Sequence, residues 1–164
     1  MPLRSVRSTG TVPGESSTGV GRMAFRKSTI QKQLAEKLVE FAPPGEQMQL
    51  AFQAITGPSP WVDDLPYVRF AMLFVRKYYF VVLTNTSVVI VEANKWTGRP
   101  ANLVCAEHFS TAMFTEMKIN PLWSKVYYRM PHTGAPERLN VHRRWREELD
   151  ALVSRLPQLA NLAA

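Results

Sequence analysis

The chain has 164 residues, 46% of them hydrophobic and 20% charged, and a formal charge of +7. That is about one ordinary domain with a tail, able to bury roughly two-thirds of its unfolded surface without a metal or disulfide staple. The one cysteine, Cys105, excludes an intramolecular disulfide and a zinc site built on several thiolates, and no window reaches the ~18 consecutive apolar residues of a spanning helix.

The positive charge is unevenly placed. Residues 1–27 carry Arg4, Arg7, Arg22, Arg26 and Lys27 against Glu15, and residues 67–99 carry Arg69, Arg76, Lys77, Lys95 and Arg99 against Glu92. The stretch between them is acidic on balance. Basic stretches of this kind attract phosphates, or simply keep a protein soluble.

Residues 1–24 read as a disordered basic tail. Ser, Thr and Gly dominate, there is too little apolar surface to offset the ordering entropy, and no apolar run marks a secretory signal. The spacing then predicts a helix over 25–42. Ser28 and Gln31 have the offset of a capping box, Ile30, Leu34, Leu38 and Phe41 share one face, and Pro43-Pro44 stops it. Packing against its own domain is favoured over binding a partner. From Gly45 to Thr56, Met48, Leu50, Phe52 and Ala54 alternate with Gln47, Gln49, Ala51 and Gln53, which predicts a strand with one buried and one wet face.

Residues 61–75 admit two readings. As a strand, Val68, Phe70, Met72 and Phe74 share a face; as a helix the segment is apolar nearly all round, hence buried in protein or lying in lipid. Asp63, Asp64 and Pro66 suit a helix start and tilt the reading that way. Tyr78–Thr84 and Ser87–Ala93 are strands rich in Val, Ile, Tyr and Phe, joined at Asn85 into a hairpin. Further strands are predicted at about 103–109, 113–119, 122–130 and 137–141, with links short enough for antiparallel neighbours. A last helix over about 142–156 sets Trp145, Leu149, Leu152, Val153 and Leu156 on one face, ends at Pro157 and leaves 158–164 as a short tail.

This order predicts an α+β fold: a strongly bent antiparallel sheet or open barrel of about seven strands, capped by a C-terminal helix, with an extra N-terminal helix. The Pro44-Gly45-Glu46 turn before the first strand, the hairpin about Asn85 and Trp145 in the last helix together resemble the bacterial form of the pleckstrin-homology-like family over about residues 43–157. The resemblance implies a non-catalytic binding module whose first-to-second and third-to-fourth strand loops present ligands at an open end. The family's inositol-phosphate pocket needs bases in the first half of the first loop; none occurs there and Asp63 and Asp64 do, so that pocket is not carried over.

No enzyme is expected, and no metal or cofactor. His108, His132 and His142 lie far apart without ligand spacing, no nucleophile or phosphate-loop motif occurs, and Cys105 sits in the apolar context Leu103-Val104-Cys105-Ala106. The hairpin does set Arg76 and Lys77 beside Lys95, Trp96 and Arg99, whichever way 61–75 folds. With Trp61 these six are the candidate site, suited to anionic lipid head groups and the membrane interface. The bland alternative has Trp61 and the apolar run covering the sheet and the bases merely solvated. A different class of function is a protein-interaction or assembly module, including a homo-oligomer, using 65–75 as its interface. Nucleic acid ranks behind both, because the bases are few and Trp61 and Trp96 lack the alternation of a stacking platform. The expected location is cytoplasmic, peripheral at a membrane.

Overall fold

The computed structural model describes residues 18–42, 44–60, 62, 67–112, 114–131 and 133–156, with side chains from Lys27 onward except at Arg69, Phe70 and Leu73. The expectations for the tail before Thr18 and for 158–164 lie outside these residues.

Helix α1 runs Thr18–Phe41, and the strands are β1 (Leu50–Thr56), β2 (Tyr78–Leu83), β3 (Ser87–Ala93), β4 (Pro100–His108), β5 (Phe114–Lys118), β6 (Trp123–Arg129) and β7 (Pro136–His142). Helix α2 (Val68–Val75) lies between β1 and β2, and a 3-10 turn at Arg143–Trp145 leads into helix α3 (Arg146–Arg155). The strands form one antiparallel sheet in the order β4-β3-β2-β1-β7-β6-β5. The fold is therefore the α+β class expected, a bent and open sheet with a helix at each end of the chain.

Strand β1 is the joint. It pairs with β2 from Leu50 to Ile55 and with β7 from Ala54 to Thr56, so three strands lie on each side of it, and with β1 itself the β4-β3-β2 side makes a four-stranded half. The bend encloses the main core. Phe52, Tyr79, Val81, Ile90, Val126 and Leu139 point into it, and Leu149 and Leu152 of α3, with Trp145 and Leu156 flanking the helix, plug it. Trp145 is only 2% exposed. The free edges β4 and β5 do not pair, but β4 and the β5–β6 pair meet through side chains: the Tyr128 hydroxyl donates to Glu107, and Phe109 and Phe114 pack on the core. Burial pushes the Cys105 thiol up to about 11, helped by Glu107, which holds the sulfur protonated at neutral pH.

The other face of β1, β2 and β3 is dry too. Leu34 and Leu38 of α1 bury against Ala51, Phe80, Val82, Val89 and Val91. That corrects the one-sided strand expected for β1: Ala51 belongs to a second core, because α1 docks there as favoured. It also explains why β2 and β3 read as near-continuous apolar runs. Two helix starts differ from expectation. Helix α1 begins at Thr18, so residues 18–24, expected in the disordered tail, are helical and Ser28 stands inside the helix instead of capping it; Met23-Ala24-Phe25-Arg26-Lys27 holds no glycine or proline to stop it. Residues 143–145 form a tighter turn ahead of α3, in which the His142 ring accepts the Arg144 N–H. Lys27 ties the two helices together, pairing with Glu148 and lying 5.1 Å from the centroid of the Trp145 ring.

Candidate functional site

The ends of the β2–β3 hairpin differ in chemistry. The register Tyr78↔Ala93 through Leu83↔Val88 sets Asn85 at one end and Lys77 and Lys95 at the other. The Asn85 end is closed with polar contacts: Asn85 accepts from the Gln47 N–H, and Glu46 accepts from the hydroxyls of Thr86 and Ser87. Burial raises the Glu46 pKa, but the hydroxyls of Thr84, Thr86 and Ser87 and the charge of His108 more than offset it, leaving the carboxyl below its ordinary value.

At the opposite end the segment 67–75 resolves as helix from Val68 to Val75. Tyr67 precedes it with φ 69°, a left-handed backbone that costs a bulky residue about 1–3 kcal/mol, and its side chain is 89% exposed. Phe74 is 80% and Val75 61% exposed. A helix apolar on nearly every side has more apolar surface than one contact face covers, and these residues are the remainder.

The β3–β4 loop is built by its own side chains. Asn94 Oδ1 accepts from the N–H groups of Trp96 and Thr97 at 2.9 and 3.0 Å, and its N–H donates to the Arg99 carbonyl at 2.9 Å. Gly98 takes φ 66°, which a residue with a Cβ rarely does. This turn holds Trp96 outward, 93% exposed. Lys95 Nζ donates to the Phe74 carbonyl at 3.0 Å, a cation on the C-terminal turn of α2. One hydrogen bond thus joins the loop to the helix and gathers Trp96 and Phe74 at one end of the sheet.

Of the six residues expected, the structure brings Lys77, Lys95, Trp96 and Arg99 to this end, all exposed. Trp61 lies outside the described residues, as do Asp63 and Asp64. Arg76 is a correction: it is 6% exposed and cannot meet a surface ligand. Its stem folds inward against Gly57, with Cγ 3.7 Å from where a Cβ on that glycine would stand. A long aliphatic stem lets arginine take a buried site that its charge alone would forbid. Within the apolar run Phe74 and Val75 face water, whereas Val68 and Met72 are half-buried. The exposed aromatics Tyr67 and Phe74 were not singled out from sequence; the all-round apolar character of the segment was the signal for them.

Among the described residues no helix is long and apolar enough to cross a membrane, and no group of His, Cys, Asp or Glu is placed to hold a metal. No family model matches the chain, and no curated protein does. Among solved structures it is similar to the hSac2 domain from human phosphoinositide phosphatase Sac2, at 12% identity over 79% of each chain, with a TM-score of 0.44.

Proposed function

We propose that this protein is a non-catalytic, pleckstrin-homology-like module that rests on an anionic membrane surface by the end formed from α2 and the β3–β4 loop. The observation that carries the reading is the shared position of exposed Trp96, Phe74 and Val75 with Lys77, Lys95 and Arg99. Rings of this kind favour the lipid interface, and each base near an anionic surface adds about 1 kcal/mol. Three bases and a few rings give weak, reversible association.

Co-sedimentation with phosphatidylcholine vesicles, with and without phosphatidylserine, tests it. Wild type should pellet only with the anionic vesicles and should release as salt shortens the screening length to about 10 Å near 0.1 M. The triple variant Lys77→Ala, Lys95→Ala, Arg99→Ala should stay in solution. Equal pelleting of both proteins, or of neither, contradicts the reading. The exposure of Phe74 and Val75 also suits a protein interface, and light scattering that shows a dimer abolished by Phe74→Ser would favour assembly instead.

A further inference from the structure

We propose that the outward face of β6 binds single-stranded nucleic acid, with Trp123 and Tyr127 as stacking surfaces and Lys125 and Arg129 as phosphate contacts. The strand reads Trp-Ser-Lys-Val-Tyr-Tyr-Arg. Ser124, Val126 and Tyr128 are buried on its inner side, which turns Trp123, Lys125, Tyr127 and Arg129 to the other. Ring and cation alternate along that face at about 7 Å per step, twice the 3.4 Å base step of a stacked strand. Such spacing accepts splayed bases, whose faces are open; in a duplex those faces are already stacked.

The neighbouring strands extend the same chemistry. The register sets His142 and Arg138 of β7 opposite Trp123 and Tyr127, and Lys118 of β5 opposite Lys125; Asn140, opposite Lys125 on the β7 side, is buried and donates to the carbonyls of Ile55 and Gly57. The acid opposite Tyr127 is Glu116, and Lys118 pairs with it at 2.9 Å. Arg138 Nε donates to Asn140 Oδ1 at 3.0 Å, which fixes a guanidinium beside Tyr127. The face is thus cationic on balance and complementary to phosphate.

Trp123 is also held in position. The His142 ring packs edge-on to it, centroids 4.8 Å apart at 72°. His142 Nδ1 accepts the Arg144 N–H, and burial together with the charges of Arg144 and Arg143 lowers its pKa. Two surface grooves adjoin at the indole: one of about 300 Å³ with His142, Arg144 and Tyr78 in its wall, the other of about 320 Å³ with Ser59, Asn120 and Lys125. Trp123 is half-buried between the two grooves, with Arg144 in the wall of one and Lys125 in the wall of the other. The alternation that Trp61 and Trp96 lack is present here, in the three-stranded half of the sheet.

The test is fluorescence anisotropy of a labelled fifteen-nucleotide thymidine single strand and of a duplex of equal length. Wild type should bind the single strand more tightly than the duplex. Tyr127→Ala, which changes no charge, should weaken single-strand binding about tenfold, and Tyr127→Phe should restore it. Lys125→Gln should flatten the dependence of log affinity on log salt by about 0.7. Lys77→Ala with Arg99→Ala should leave binding unchanged, so failure of the membrane reading and failure of this one are told apart. If Tyr127→Ala does not fold, Tyr127→Val keeps the strand preference and removes the ring. Wild-type affinity in the ring-less variant, equal affinity for single strand and duplex, or no binding by wild type would overturn the proposal.

Discussion

Helices α2 and α3 invert the usual link between composition and burial. Helix α3 is dense in charge, yet Leu149 and Leu152 with flanking Trp145 and Leu156 vanish into the core. Helix α2 holds a single charged residue, Arg69, yet leaves Phe74 and Val75 in water. The difference is one of arrangement. In α3 the apolar residues fall on one stripe, the stripe faces the open mouth of the sheet, and the charges face away. In α2 they surround the axis, so whatever the sheet does not cover is exposed. A buried stripe contributes to stability; an uncovered apolar face is free to contribute to association.

The largest effect expected on stability is therefore at the α3 end. Trp145→Ala should cost about 3–5 kcal/mol and lower the melting temperature by about 10 °C or more, measured by circular dichroism. An unchanged melting curve would mean that α3 does not close the core. Leu34→Ala, in the second core, should cost about 2–3 kcal/mol, because α1 loses one of the two fully buried leucines that dock it.

Smaller and pH-dependent is the effect at the closed hairpin end. The Glu46 carboxyl is held below its ordinary 4.5, so its contribution is present above that pH and is lost as pH falls through the lower folded value. Glu46→Gln should cost about 1 kcal/mol at pH 7 and nothing once the wild-type carboxyl is protonated. A deficit constant with pH would remove the carboxylate from the account. Smallest of all, Phe74→Ser with Val75→Ser should shift stability by no more than about 0.5 kcal/mol while abolishing pelleting with anionic vesicles. A large drop in melting temperature would show that α2 is covered after all.

Much of this was legible from sequence. The β2–β3 hairpin announced itself through two β-branched runs about Asn85, and the α3 stripe through Trp145, Leu149 and Leu152. The four later strands fell within a few residues of their predicted spans. The misreadings have a common source: periodicity reports which side chains share a face, not what covers it. Ala51 looked wet because α1 had not yet been docked on its face. Arg76 looked like a surface cation because nothing local shows that its stem folds against Gly57. The all-round apolar pattern of 67–75 signals surplus apolar surface, but that Phe74 carries it depends on how α2 sits relative to the sheet. The pattern of β6 was readable, but its meaning waited on knowing that Val126 and Tyr128 take the inner side.

The most direct test of the central claim is the emission of Trp96 on membranes. A variant with Trp61→Phe and Trp123→Phe keeps only Trp96, at the exposed end, and Trp145, sealed in the core. Added to phosphatidylserine vesicles, its emission should shift to the blue and be quenched by brominated acyl chains, and both changes should vanish when Trp96→Phe is added. An emission that stays that of water-exposed tryptophan while the protein pellets, or a quenching that survives loss of Trp96, would contradict docking by this end.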